Sequence, residues 1–230
     1  MLFPKQKTKD QWIKTFALAK TGHICWNGDA QNPSDPTHAY ESAYQFKEHA
    51  CYLGFFKENS RILDLGCGNG RMGIFFSEMN VKYYGIDPMQ SCIQFCKNTF
   101  KKFPHLNFQH LDVVNECSNP GGKIDPKDMK LPFPDGYFTD IIVYSVFTHL
   151  QTLNVAQHYM AEIKRVLNGN LFCSWYRSPP NPGEDTYVGR TVYREMDIMN
   201  MMSGFEFLYT NGGHTDKYYD QWIMFCKKVL

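Results

Sequence analysis

The sequence predicts an α/β fold in three layers: a seven-stranded, mostly parallel sheet between helices, with an antiparallel hairpin strand at the C-terminal end. Three observations predict it. Arg61 to Gly73 reads as an apolar strand, a tight turn with Gly66, Gly68 and Gly70, and a helix start. From Arg61 to Tyr176, strand-like and helix-like runs alternate, the pattern of a parallel sheet with helices on both faces. The last two strand-like runs are joined without a helix, which fits an antiparallel hairpin at the sheet edge.

With 230 residues and 43% apolar composition the chain is long enough for one domain with a sizeable core. The expected division is a helical cap over 1–58 and a sheet-bearing core over 59–230, interrupted by inserts near 113–130 and 177–192. Net charge is +1, and Lys5, Lys7 and Lys9 form a solvated terminus rather than a basic arm. Electrostatic binding to nucleic acid is not expected. Eight cysteines are scattered without a C-x-x-C, and Cys92 and Cys96 have no second ligand pair. They read as reduced, mostly buried thiols rather than a zinc site. Met1 to Asp10 is polar and lysine-rich, unlike a signal peptide, and no apolar run reaches membrane-spanning length. A soluble, cytoplasmic protein is expected.

Taken in order, Asp10 to Ala19 has the apolar spacing of a short helix, and Gly22 to Asp35 is loop-like. His38 to Phe55 reads as a second helix carrying Tyr40 and Tyr44. A strand from Arg61 precedes a helix over Arg71 to Met79. Lys82 to Ile86 is the second strand, Met89 to Phe100 a helix with Pro88 near its start, and Leu106 to Leu111 the third strand. Val113 to Lys130 is irregular, and an irregular segment of that length in a compact domain is usually functional. Thr139 to Tyr144 is a buried fourth strand, and Thr152 to Leu167 a helix that Thr152 is placed to cap. Leu171 to Tyr176 is the fifth strand, Arg177 to Arg190 a loop, and Arg194 to Ser203 a methionine-rich helix. A sixth strand opens at Gly204-Phe205, Asn211 to Lys217 forms a link, and Tyr218 to Lys227 is the seventh strand.

Asp64, Asp87 and Asp112 each close a strand. In open α/β sheets the ligand lies at the carboxyl ends of the strands, so three acids converge on one crevice. Asp87 stands about 20 residues beyond the glycines, where nucleotide-binding units place the acid for ribose hydroxyls. Gly68 to Gly73 also matches G-x-G-x-x-G. The intervening Asp64-Leu65-Gly66-Cys67 breaks the dinucleotide register, however, and an acid before the glycines suits an ammonium better than a pyrophosphate.

Asp64-Leu65-Gly66-Cys67-Gly68-Asn69-Gly70 resembles the D/E-x-G-x-G-x-G motif of class I S-adenosylmethionine (SAM)-dependent methyltransferases, which have a Rossmann-like fold. The resemblance extends over about residues 58 to 176. Pro132-Phe133-Pro134-Asp135-Gly136, Asp140-Ile141-Ile142, Ser145-Val146-Phe147-Thr148-His149-Leu150 and Glu162 to Leu167 are similar to the branch often found in sugar and polysaccharide biosynthesis. Thr139 and Asn168-Gly169-Asn170 depart from that branch, at strand-edge and turn positions.

The resemblance implies SAM as cofactor and S-adenosylhomocysteine as product. Asp64 lies near the methionine end, Gly66, Cys67, Gly68, Gly70 and Arg71 form the turn, and Asp87 and Pro88 flank the ribose. Asp112 and Val113 meet the adenine, with Asp128 a rival to Asp112, and Ser145 closes the site. Tyr40 and Tyr44, on the cap, read equally as acceptor-lining or core aromatics. Arg177 and His214 join them as acceptor candidates. His149 reads as a general base for a hydroxyl acceptor or as a structural or orienting histidine. No ordered metal set is evident, so metal-independent transfer to a sugar or glycan hydroxyl is expected. Another small-metabolite O- or N-methyltransferase, and a catalytically silent SAM-binding subunit, are the alternatives. A small-molecule or saccharide partner is implied, and a homodimer is left open.

Overall fold

The strand Arg61–Leu65 is buried on both faces because its side chains alternate between two separate cores. In the computed structural model, which describes residues 7–17, 44, 46–177, 191–216 and 219–229, this strand is β1. Before it come α1 (Lys9–Ala17) and α2 (46–52). After it come α3 (Arg71–Phe76), β2 (Lys82–Asp87), α4 (Gln90–Thr99), β3 (Leu106–His110) and β4 (Phe138–Val143). A 3-10 turn (Phe147–His149), α5 (Leu153–Val166), β5 (Leu167–Arg177), α6 (Glu195–Met201), β6 (Phe205–Asp216) and β7 (Tyr219–Lys228) complete the order.

The seven strands form one sheet in the order β3-β2-β1-β4-β5-β7-β6. β1 to β5 pair in parallel. β7 runs antiparallel between β5 and β6, as the helix-free C-terminal link requires. Ile62, Tyr83, Leu106 and Phe108 face α1 to α4 through Trp12, Phe46, Phe75, Phe76 and Ile93. Leu63, Leu65, Ile86, Ile141 and Val143 face α5 and α6 through Val155, Met160, Ile163, Ile198 and Met201. These are the three layers expected from the alternation.

Local signals explain several boundaries. At α1, Gln11 N–H donates to Thr8 Oγ1 (3.3 Å) and Thr8 N–H to Gln11 Oε1 (3.0 Å), a reciprocal capping box. Thr152 caps α5 by accepting from Val155 N–H (3.3 Å). The buried Asp140 carboxylate accepts from Phe56 N–H, Ser60 Oγ, Thr139 Oγ1 and Asn170 Nδ2, which ties β4 to β5 and to the entry of β1.

The structure corrects the sequence reading in places. Asn168-Gly169-Asn170 is strand, not turn: β5 begins at Leu167, directly after α5. A register irregularity between Phe138 and Asp140 brings Thr139 against Gly169, where a Cβ would lie 2.2 Å from Thr139 O. Glycine there serves close strand approach rather than a reversal. Residues 211–216 are also strand, because a register shift between Gly212 and Thr215 absorbs the glycines and pairing continues to Asp216 with Tyr219. Val113 to Lys130 is pinned by a Val113–Ile124 bridge and an Asn115–Asn119 bridge. Cys51, Cys67, Cys92, Cys96, Cys173 and Cys226 are free thiols, but Cys117 is disulfide-bonded, against the expectation of reduced thiols throughout.

Candidate functional site

The first turn of the site is built on β1 and β2. Gly66 and Cys67 donate their N–H groups to Ile86 O (2.7 and 3.0 Å), which folds the chain back over the end of β2. Gly66 has φ +77°, and a Cβ there would meet Val146 Cγ2 at 2.3 Å, so the turn packs directly on the segment leaving β4. Gly68 N–H donates to Asp87 Oδ2 (2.8 Å) and Met89 N–H to Asp87 Oδ1 (2.8 Å). Asp87 therefore clamps the turn to the start of α4.

Asp64 sits beneath this turn, 3% exposed, and accepts the Tyr83 hydroxyl at 2.6 Å. Burial pushes its carboxyl up to about 6, opposed by the Tyr83 bond and the Arg71 charge and reinforced by Asp87. Arg71, the first residue of α3, holds its guanidinium 4.2 Å over the Tyr144 ring. Strand alternation puts Asp64 on the β1 face that carries Ile62, where it meets Tyr83 of β2.

Pro88 presents its carbonyl to His110 Nε2 (2.9 Å). Asp112 Oδ1 accepts from Asn119 Nδ2 (3.1 Å), while Lys123 and Ile124 N–H groups donate to the Asp112 carbonyl. Val113 is buried. The rival Asp128 is exposed, its N–H donating to Asp125 O in the outer part of the segment.

Beyond β4, Ser145 takes φ +58°, a left-handed conformation costly outside glycine. It is held by its N–H to Ser174 Oγ (2.7 Å) and its carbonyl from Thr148 Oγ1 (3.1 Å). That kink sets His149 in the following 3-10 turn, and Asn115 Nδ2 donates to the His149 carbonyl (3.1 Å). Phe147 stacks on Trp175 with ring centroids 3.8 Å apart, fixing the turn to β5.

The structure thus gathers the glycine turn, Asp64, Asp87, Pro88, Asp112, Val113, Ser145 and His149 at the carboxyl ends of β1 to β4. Arg177 closes β5, with its guanidinium 3.0 Å from Glu195 and 4.4 Å above Trp222. Tyr44 is not brought there: its hydroxyl donates to Glu78 (2.8 Å), past the end of α3 remote from the turn. Tyr40, and the side chain of His214 on β6, lie outside the described residues. Asn115, Asn119, Ser174 and Tyr83 were missed. For Tyr83 a signal existed, since parallel register puts it on the same sheet face as Asp64. Among the described residues no group of three or more His, Cys, Asp or Glu side chains is placed to hold a metal. No helix among them is long and apolar enough to cross a membrane.

The site fits SAM on its own geometry: a Cβ on Gly68 meets nothing within 4 Å, so the turn has an open face beside the Asp87 carboxylate. In fold and turn the chain is similar to class I SAM-dependent methyltransferase domains. Comparison agrees, as residues 62–170 match the family described as a methyltransferase domain. A methyltransferase of Schizosaccharomyces pombe, itself uncharacterized, is 32% identical over 116 residues, covering 50% of this chain and 38% of the relative. The chain thus spans little more than a third of the length of the curated relatives it matches. Among solved structures, the cyclase SpnF aligns with TM-score 0.66 at 16% identity, over 99% of this chain and 98% of that one. Magnesium protoporphyrin IX methyltransferase from Synechocystis PCC 6803, solved with bound SAM, aligns with TM-score 0.57 at 15% identity, over 88% and 84%.

Proposed function

We propose that this chain transfers a methyl group from SAM to a hydroxyl of a sugar or glycan, without a metal. The observation that carries the reading is the packing of the glycine turn on the segment that bears His149, through Gly66 and Val146. That contact supports a reading in which His149, on the turn that follows Val146, takes a proton near the cofactor turn. SAM supplies a methyl group already activated by its sulfonium.

The protein's own share is positioning and proton removal. Asp87 accepts ribose hydroxyls while holding Gly68. Asp112 and Val113 meet the adenine. The Asp64 charge, acting through the turn, favours the cofactor's ammonium. His149 takes the hydroxyl proton as transfer proceeds, and its ring type suits that near neutral pH. Arg177 orients the acceptor from the end of β5. The sugar class is supported by the segment from Pro132 to Leu167 and by the absence of charge runs that would favour a polyanion.

Transfer of isotopically labelled methyl from SAM to sugars, nucleotide-sugars and short glycans, read by mass spectrometry, tests this. Label on a saccharide hydroxyl is expected. Label only on other metabolites would replace the acceptor class. SAM binding without any label would favour a silent subunit, a real alternative because a fold does not fix a reaction.

A further inference from the structure

We propose that Tyr83 is a positioning residue of the cofactor site: its hydroxyl, donated to Asp64 beneath the glycine turn, keeps the Asp64 charge in place there. The inference rests on Asp64 acting as the acid that favours the cofactor's ammonium. The geometry is specific. Tyr83 is fully buried on β2, and its ring is held by Phe76 (centroids 5.0 Å apart) and Phe108 (5.6 Å), so the hydroxyl has no alternative direction. It meets Asp64 Oδ2 at 2.6 Å across the β1–β2 pair.

The surroundings decide what that bond does. Asp64 is faced by Tyr83 from β2, Arg71 from α3, Asp87 from the end of β2 and the Cys67 thiol from the turn. From β4 its register neighbour is the apolar Ile142. Tyr83 and Arg71 are the two groups that favour the carboxylate, against burial and Asp87, which favour the acid. Without the hydroxyl, Asp64 takes up a proton at a higher pH and the charge under the turn is lost where the wild-type chain retains it. The shape of the pocket changes little, since the ring stays.

The test is SAM affinity of the full chain by calorimetry from pH 5.5 to 9, for wild type, Tyr83→Phe, Asp64→Asn and the double variant. Wild-type affinity is expected to fall as pH drops through about 6. Tyr83→Phe moves that midpoint up by about one pH unit, which makes binding about fivefold weaker at pH 6, about twofold weaker at pH 7 and unchanged above about pH 8.5. In the Asp64→Asn background, Tyr83→Phe has no further pH-dependent effect. Profiles that superimpose, or a loss uniform across pH, overturn the positioning role while leaving the cofactor reading intact. A wild-type chain that binds no SAM at any pH overturns both.

Discussion

At the scale of single residues, two glycines of one turn do different work. Gly66 has φ +77° and a Cβ would strike Val146 at 2.3 Å, whereas Gly68 has φ +53° with open space beside it. Gly68→Ala should fold with a loss of about 1–2 kcal/mol, the usual left-handed penalty, yet bind SAM at least tenfold more weakly because the methyl enters the open face. Gly66→Ala should lose both stability and binding, since the turn must leave its seat on Val146. Thermal melts and calorimetry on the pair separate the effects. Asp64 carries a pH signature of its own. Its carboxyl is raised from 3.8 to about 6, so the folded chain binds its proton more tightly than the unfolded chain does. Stability from this group is therefore greatest below about pH 4, falls as pH rises through 6, and costs about 3 kcal/mol above that. Asp64→Asn should raise the melting temperature at pH 8 and change it little at pH 4, while weakening SAM binding at pH 8. A melting temperature that falls equally at both pH values would show that the buried charge is not a stability cost.

At the scale of elements, the join of β4, β5 and the entry to β1 hangs on Asp140, whose two oxygens serve four donors from Phe56, Ser60, Thr139 and Asn170. Asp140→Ala leaves those donors buried without an acceptor, a cost of about 3 kcal/mol, visible as a lower urea midpoint. Thr152→Ala, removing only the cap of α5, should cost about 1 kcal/mol. The element order was legible because hydrophobic period and glycine placement act locally, as at Ile62 to Gly70. Strand lengths were not. Gly169 and Gly212 look like turn glycines along the chain, but their reason is a neighbouring strand: Thr139 O against Gly169, and the register shift of β6 on β7. The site was legible at Asp87, where spacing from the glycines is itself the signal. It was illegible at Asn115 and Ser174, ordinary residue types whose roles arise only when the 113–130 segment and β5 are set beside β1 and β4.

At the scale of the whole molecule, the site draws on strands from both halves of the sheet. The glycine turn and Asp87 come from β1 and β2, while Ser145 and His149 follow β4, which is held to β5 through Ser174 and the Phe147–Trp175 stack. A ligand seated at that junction binds only when both halves are assembled, so its binding energy adds to global stability rather than to one loop. SAM at a hundredfold over its dissociation constant should add about 2.7 kcal/mol to unfolding. For a chain of this size that is a rise of roughly 5–10 °C in melting temperature. Hydrogen exchange should then slow not only in the glycine turn but also in the cores of β1, β4 and β5, which exchange through global opening. Protection confined to the turn would mean that the junction opens without unfolding, and the two halves would have to be treated as separate cooperative units.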